Sequence, residues 1–439
     1  MSNYRYTLSD YHAIKEADIT INGITVLAGE NGCGKSTLSR WLYYLINGFN
    51  KFDEFVYKDL LKKIQSYLRK PDRVRRDIKA RGDENSNVTY SRMLGSKVFY
   101  GDIDGLFNQS LDIIDSFQKE LLSYIDGGDK RNKNRILIYL SVPEEELDNW
   151  ENYVFFYCTE LKEDVEAAYL SAKSDLSKHP VASLGKYISY FLAEEDSAEI
   201  PASIQLYEDQ TSLLTEQDFS IPYMLHRAIY VDTPMALSMD YPELKHWAEL
   251  VDMMLKSEGN DMPEQGKTFL ARIKRSIGGR ISADEDVFKD EELHYHRTDG
   301  LNIKLEYTAT GIKSFAYLQR LLENGYLNEE SLLLIDEPEA HLHPQWIVEF
   351  ARLLVLLHKQ LGLKIMIATH NPDMVSAIQS IARKEDVLRN TCFYQAERAS
   401  EDSMQYVYKD LGNDISEIFK SFNIAISRIQ DYGSTGLSE

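Results

Sequence analysis

Two runs of aliphatic residues in the second half of the chain each end at polar side chains. Residues 332–335 are four consecutive aliphatics followed at once by Asp336 and Glu337. Such a run is typical of a strand buried on both faces of a parallel sheet. Residues 364–368 form a second run, apolar after Lys364, and His370 comes two residues after it. Because ligands bind at the carboxyl ends of strands in open α/β sheets, these polar residues are candidates for a site.

A third buried strand, predicted over residues 24–28, runs into a glycine-rich loop. Residues 29–37 fit the pattern G-x-x-x-x-G-K-[ST], and residues 38–46 carry apolar side chains at helical spacing. Glycines let backbone N–H groups turn inward around phosphate oxygens, and the helix N-terminus adds partial positive charge. The candidate ATP-binding residues here are Asn31, Gly32, Cys33, Gly34, Lys35, Ser36 and Thr37. The alternative is a strand-to-helix turn that binds nothing.

The residue types suggest roles in nucleotide chemistry. Lys35 is expected to reach the β and γ phosphates, and Ser36 to place its hydroxyl on Mg²⁺. Asp336 is suited to holding a hydrated Mg²⁺, and Glu337 to polarising a water. His370 is expected to hydrogen-bond a γ-phosphate or the attacking water. ATP and Mg²⁺ are therefore the predicted ligands.

Each of these predictions has a simpler structural alternative. The acidic pair can be an ordinary polar turn after a strand, and His370 can cap the next helix. Cys33 lies at a variable position of the loop, where it is either a small filler or a redox switch. A second turn, with Thr310 and Gly311 opening a helix, has an anion-binding composition, but an N-cap threonine before a helix is also common.

The remaining pattern predicts an α/β protein with a large helical insertion. Residues 4–25 are predicted to form a hairpin broken at Asn22-Gly23, and the helical spacing over 50–220 predicts a mostly helical insertion. The predicted domains are 1–49, an N-terminal part with the hairpin and the phosphate loop; 50–220, the insertion; and 221–439, a C-terminal part with the acidic strand.

Composition limits the classes of function. The net charge of −21 over 439 residues argues against a surface that binds nucleic acid throughout, although the basic stretch 58–97 leaves DNA binding open. No apolar window of about 18 residues predicts a transmembrane helix. The three cysteines form no disulfide or metal-binding pattern, and residues 1–6 do not resemble a secretory signal. A cytoplasmic protein without membrane contact is expected.

The order and wording of these motifs resemble the OLD-like and related ABC-type ATPases. The resemblance rests on residues 336–344 (DEPEAHLHP) and 368–372 (ATHNP), and it covers about 1–45 and 225–380. This group is similar in its heads to SMC and RecF proteins, and many members act in bacterial anti-phage defence. The resemblance implies an ABC-type P-loop ATPase head, a mixed β-sheet with flanking helices. It also implies that Asp336 holds Mg²⁺ through water and that His370 senses the γ-phosphate.

The resemblance further implies that ATP is sandwiched in a head-to-tail homodimer or a higher homo-oligomer. Thr310 and Gly311 occupy the signature position, which contacts the γ-phosphate of the opposite protomer in such ATPases. The core here is Ala-Thr-Gly instead of Ser-Gly-Gly, which departs from the family pattern. Glu339, His341 and His343 follow the family wording, and we interpret them as dimer-interface or packing residues rather than metal ligands.

The first functional hypothesis is an ATPase that controls a separate effector, a nuclease or a toxin, in anti-phage defence. OLD proteins carry a nuclease domain, but about seventy residues follow His370 here, without a Glu and Asp-x-Asp pattern. A separate nuclease resembles the split Septu and PARIS systems. The second hypothesis is an SMC-like or RecF-like DNA repair ATPase that acts on DNA directly. A transporter's nucleotide-binding subunit fits poorly, because the signature core differs and the insertion is too long.

Overall fold

The computed structural model describes residues 2–79, 90, 94, 101–127, 136–138, 140, 150–189, 199–232, 245–259, 264–285 and 291–419. The chain divides into two compact units. The first unit comprises residues 1–50 and 184–439, and the second comprises residues 51–183.

A ten-stranded mixed sheet forms the centre of the first unit. Its strands, in chain order, are β1 (Tyr4–Tyr11), β2 (Ile14–Ile21), β3 (Ile24–Ala28), β4 (Gln205–Glu208), β5 (Thr211–Ser212), β6 (Arg227–Val231), β10 (Ser331–Asp336), β11 (Lys364–Thr369), β12 (Thr391–Arg398) and β13 (Tyr406–Asp410). Their order across the sheet is β5-β4-β1-β2-β13-β12-β3-β11-β10-β6.

The parallel part of this sheet brings the carboxyl ends of several strands to one edge. Strands β6, β10, β11, β3 and β12 are neighbours and run parallel. In register, Asp336 lies opposite Ala368, and Thr369 lies opposite Ala28. Every residue of β3, β10 and β11 is buried, which explains their nearly continuous aliphatic sequences. The polar residues that follow these strands therefore meet at a common edge.

Helices pack beside the sheet and bury a large apolar core with it. Those of the first unit are α1 (Lys35–Asn50), α7 (Lys245–Leu255), α8 (Glu264–Ile277), α9 (Thr310–Glu323), α10 (Pro344–Leu361) and α11 (Pro372–Lys384). A second sheet contains β7 (Gly279–Glu285), β8 (Glu291–Arg297) and β9 (Asn302–Lys304) in antiparallel order. Gly300, with φ of +96°, lies in the turn between β8 and β9.

The second unit is helical in the residues that are described. It contains α2 (Phe52–Tyr67), α3 (Arg69–Lys79), α4 (Ile103–Gly127) and α5 (Trp150–Lys178), and α6 (Val181–Tyr187) crosses its boundary with the first unit. The basic stretch 58–97 falls partly on α2 and α3 and partly outside the described residues. Arg75 is not a freely solvated charge, since its guanidinium lies over the Tyr90 ring and 3.8 Å from Glu120.

The α/β fold class agrees with the sequence prediction, but two boundaries differ. The hairpin of β1 and β2 turns at His12 and Ala13, because Tyr11 pairs with Ile14. The predicted break at Asn22-Gly23 instead carries the chain from β2 to β3, which are not neighbours in the sheet. Strands β4 and β5 also fall inside the stretch 50–220, yet β4 pairs with β1 in the main sheet, and the helical unit ends at residue 183.

Candidate functional site

The glycine-rich loop connects the buried strand β3 to helix α1 and requires glycine at two positions. Gly32 and Gly34 have φ of +81° and +93°, backbone angles that residues with a Cβ rarely adopt. A Cβ at Gly34 would also lie 2.7 Å from Cγ1 of Ile14. The sequence motif is therefore folded as a strand, loop and helix, the context in which loop N–H groups bind phosphate.

The ammonium group of Lys35 lies inside this loop. Its Nζ donates hydrogen bonds to the carbonyl oxygens of Gly29 at 2.9 Å and Glu30 at 2.8 Å. The side chain of Cys33 is buried, and Tyr408 donates a hydrogen bond of 3.1 Å to the Cys33 carbonyl oxygen. The loop thus presents a positive charge at its centre, and the buried Sγ of Cys33 lies 3.7 Å from Lys35 Nζ.

Asp336 is the last residue of β10 and receives hydrogen bonds from two other elements. Ser39 of α1 donates to its Oδ1 at 2.8 Å, and Tyr230 of β6 donates to its Oδ2 at 2.8 Å. Burial raises the pKa of Asp336, and hydrogen bonds from Ser36, Ser39 and Tyr230 oppose that rise. The carboxylate of Asp336 and the hydroxyl of Ser36 are therefore in contact at the start of α1.

This oxygen pair fits Mg²⁺ better than a transition metal. Mg²⁺ prefers oxygen ligands, is commonly held by one or two protein groups, and keeps several waters or substrate phosphate oxygens. Within the described residues, no group of three or more His, Cys, Asp or Glu side chains is arranged to hold a metal ion. Ser36 and Asp336 are consequently the residues that would hold Mg²⁺ next to a bound nucleotide.

Glu337 and His370 lie at the adjacent ends of β10 and β11. Glu337 has φ of +47°, which is unusual for a residue with a side chain, and its N–H donates to the Ala368 carbonyl oxygen at 2.7 Å. Oε1 of Glu337 is 3.2 Å from Nδ1 of His370, and both side chains are 43% exposed. The two strand ends therefore present a carboxylate and an imidazole to solvent as a pair.

His370 is not the N-cap of the helix that follows it, which was the structural alternative for this residue. The N-cap of α11 is Asn371, whose side-chain oxygen accepts hydrogen bonds from the N–H groups of Asp373 and Met374. The imidazole of His370 is directed instead toward Glu337 and Glu339.

Thr310 and Gly311 form the first turn of α9, as expected from the sequence. A Cβ at Gly311 would lie 2.9 Å from the Trp346 ring and 3.3 Å from Leu342, so glycine allows α9 to approach the start of α10. His341 and His343 are exposed in the turn that precedes α10, and His343 is the N-cap of that helix. Gly311 of the signature-like turn thus lies against Trp346 and Leu342, and His341 and His343 flank Leu342 in the chain.

Several contacts of the site, and the residues Ser39, Tyr230 and Thr369 that make them, are absent from the sequence prediction. Ser39 and Tyr230 both donate to Asp336, and Glu339 accepts a hydrogen bond from Thr369. Ser39 lies one helical turn after Ser36, a spacing that places both hydroxyls on one face of α1 and could have indicated a shared partner. Tyr230 and the Glu339 contact depend on which strands are neighbours, which local sequence does not specify.

Comparison with known proteins identifies the class of this chain. Residues 24–376 match the family described as "AAA domain, putative AbiEii toxin, Type IV TA system". A curated relative is the energy-coupling factor transporter ATP-binding protein EcfA2 of Clostridium perfringens, 40% identical over 72 residues. That match covers 16% of this chain and 25% of EcfA2. EcfA3 of the same species is 43% identical over 63 residues, which are 14% of this chain and 22% of EcfA3.

Matches among solved structures include two SMC head domains and cbiO1, a part of the ABC transporter complex cbiONQ, all at low sequence identity. The head from Pyrococcus furiosus, bound to the C-terminal domain of ScpA, is 10% identical with a TM-score of 0.35, covering 98% of this chain and 100% of that one. The SMC head domain from Thermotoga maritima is 10% identical with a TM-score of 0.35, and the match covers 94% of this chain and 99% of that one. The protein cbiO1 from Clostridium perfringens is 13% identical with a TM-score of 0.26, and the match covers 58% of this chain and 82% of that one.

The chain has a mixed α/β fold, and the family match defines its class as an AAA domain protein. Since the family covers residues 24–376, most of the chain, the protein belongs to the AAA domain family described above. Among the described helices, none combines the length and the apolar character needed to cross a membrane.

Proposed function

We propose that the chain binds and hydrolyses ATP with Mg²⁺. The observation that carries this proposal is that the ends of β10 and β11 lie at the phosphate loop that follows β3. Asp336 is hydrogen-bonded to α1, and Glu337 and His370 lie 3.2 Å apart beside it. A loop for phosphate, a buried carboxylate and an exposed carboxylate–imidazole pair are the parts that phosphoryl transfer to water requires.

Each residue has a distinct part in the proposed reaction. Lys35 leaves the carbonyl oxygens of its own loop to contact the β and γ phosphates as a point charge. Ser36 and Asp336 would hold Mg²⁺, which would supply positive charge to neutralise the phosphate oxygens. Glu337 orients the attacking water and accepts its proton, and His370 donates to the γ-phosphate or the water. Asn31, Gly32, Gly34 and Thr37 contribute loop N–H groups, and Cys33 does so through its backbone only.

We further propose that two heads associate head-to-tail around ATP, with Thr310 and Gly311 of one protomer facing the nucleotide of the other. The N-terminus of α9 offers N–H groups to an anion, and Gly311 allows its close packing on Trp346. In this arrangement the exposed His341 and His343 lie near the second copy. The ATP-bound pair controls a separate effector, a nuclease or a toxin, in bacterial anti-phage defence.

A direct action on DNA, as in SMC-like or RecF-like repair, is the second candidate. The basic helix α3 favours it, with Arg69, Lys70, Arg73, Arg75 and Arg76 within one segment. The net charge of −21 and the partly buried position of Arg75 favour the first candidate.

The proposed hydrolysis is tested by phosphate release from ATP with the wild-type protein and Glu337→Gln. The variant is expected to bind ATP and to turn over roughly 10²- to 10⁴-fold more slowly, because it loses the general base. Glu401→Gln, at an exposed position of the β12–β13 connection, is the matched control and keeps wild-type turnover. Equal rates for Glu337→Gln and wild type would refute the catalytic role of Glu337.

Light scattering of Glu337→Gln with and without Mg-ATP tests the proposed head-to-tail dimer. A parallel addition of duplex DNA tests the second candidate, direct action on DNA. An ATP-dependent increase in mass without DNA supports the sandwiched dimer. Binding of DNA by the protein alone, with strong dependence on salt, supports the second candidate.

A further inference from the structure

Glu339 is a buried carboxylate to which the proposed reaction assigns no role. Its side chain is 3% exposed. Oε1 accepts a hydrogen bond of 2.6 Å from the Thr369 hydroxyl and one of 3.2 Å from the His370 backbone N–H. Oε2 is also buried, and in the described part of the chain it has no hydrogen-bond partner.

This arrangement is costly for the folded state. A buried acceptor that lacks a donor costs about 1–3 kcal/mol, and more when it is charged. Burial raises the pKa of Glu339, and the hydrogen bonds from Thr369 and His370 only partly oppose it. Stability alone therefore does not explain a glutamate at this position, and its contacts indicate what it does.

The contacts of Glu339 connect the two strand ends of the site. Glu339 belongs to the turn after β10, and its two donors are the last residue of β11 and the residue that follows. The imidazole Nδ1 of His370 lies 3.2 Å from Glu337 Oε1 and 3.7 Å from Glu339 Oε1. The imidazole is thus set between an exposed and a buried carboxylate.

We propose that Glu339 is a positioning residue that fixes His370 against Glu337 for ATP hydrolysis. Oε1 of Glu339 accepts hydrogen bonds from the His370 backbone N–H and from the side chain of the preceding residue, Thr369. These two bonds limit the positions that the His370 ring can take relative to Glu337. This inference rests on the proposed ATP hydrolysis, because it assigns a residue to that reaction. It concerns geometry and not substrate contact, so its effect belongs to turnover and not to nucleotide binding.

The test compares Glu339→Ala with Glu339→Gln in steady-state ATP hydrolysis. Glu339→Ala removes the acceptor, and we expect kcat to fall roughly ten- to hundredfold while KM changes by less than about twofold. Glu339→Gln retains an oxygen that can accept from Thr369 and His370, and it is expected to restore most of the loss. A wild-type kcat in folded Glu339→Ala, or equal losses in both variants, would overturn the proposal.

A double-mutant cycle separates positioning from a general effect on folding. Thr369→Val keeps the shape of the buried side chain and removes the donor to Glu339. Because both changes break one interaction, the double variant Glu339→Ala/Thr369→Val is expected to lose no more activity than Glu339→Ala alone. Fully additive losses would contradict a shared role.

A second measurement does not depend on hydrolysis. Amide hydrogen exchange of peptides that span the end of β11 is expected to be faster at His370 in Glu339→Ala and unchanged in Glu339→Gln, because the N–H loses its acceptor only in the first variant. If the wild-type protein does not hydrolyse ATP, the proposed function fails, and exchange still decides whether Glu339 holds His370. Unchanged exchange in Glu339→Ala would reject the positioning contact itself.

Discussion

Ser39 Oγ donates a hydrogen bond of 2.8 Å to Oδ1 of Asp336, and the two residues are 297 positions apart in the chain. This bond joins the helix that follows the phosphate loop to the end of the acidic strand. It supports the carboxylate whose pKa burial raises, because a hydrogen bond to a carboxylate favours its charged form. Ser39 thereby fixes the position of the Asp336 side chain and opposes the rise in its pKa.

Ser39→Ala is therefore expected to destabilise the protein. The variant leaves a buried carboxylate with one donor fewer, and the free energy of unfolding should fall by about 1.5–3 kcal/mol. Denaturant unfolding at neutral pH measures this change. Ser400→Ala, at an exposed turn position, is the control and should unfold like wild type. Equal stability of Ser39→Ala and wild type would mean that water replaces the serine hydroxyl.

Lys35→Ala is expected to weaken ATP binding roughly ten- to hundredfold. The variant removes a charge-assisted contact, worth about 1.5–3 kcal/mol, from the centre of the loop. Titration with a fluorescent ATP analogue measures the affinity. Lys359→Ala removes an exposed lysine that pairs with Glu385 and should bind the analogue as wild type does. An unchanged affinity in Lys35→Ala would place the nucleotide elsewhere.

Thr310→Val is expected to abolish the ATP-dependent increase in mass of the Glu337→Gln protein, without loss of ATP binding. Valine keeps the shape of the side chain and removes the hydroxyl proposed to contact the partner's nucleotide. Light scattering gives the mass and the titration gives the affinity. Thr298→Val, in the exposed turn between β8 and β9, should leave association intact. If the protein with Thr310→Val associates at the same ATP concentrations as Glu337→Gln alone, Thr310 does not contact the nucleotide of the partner protomer.

Glu339→Gln is expected to change how stability depends on pH. Burial raises the pKa of Glu339 above its ordinary value of 4.5, so the folded state binds the proton more tightly than the unfolded chain. This contribution to wild-type stability is present below pH 4.5 and is lost as the pH rises through the folded-state pKa. Since glutamine does not ionise, the stability of Glu339→Gln relative to wild type should increase from pH 4.5 to pH 7.

Unfolding of both proteins at the two ends of this range provides the measurement. The comparison uses the difference between the variants, because other carboxylates titrate equally in both. A difference that stays constant with pH would mean that Glu339 has the same pKa in the folded and unfolded states.

The hydrophobic pattern alone predicted the strands β3, β10 and β11, because a strand buried on both faces needs a continuous aliphatic sequence. It also predicted that polar residues follow these strands, and the loop motif predicted its own strand-to-helix context. These features are local, since each depends on residues within about ten positions of one another. The α/β class, the three strands and the strand-loop-helix of the candidate site followed from these local features.

Tertiary structure decided which of these ends are neighbours. The sheet order places β11 between β3 and β10 and places β6 on the far side of β10, although β6 precedes β10 by about a hundred residues. Only this order brings Tyr230 to Asp336 and Glu339 to Thr369. It also incorporates β4 into the main sheet by pairing with β1, which a short and half-buried segment does not indicate. Pairings between distant segments depend on the packing of the whole sheet, and the local pattern carries no information about them.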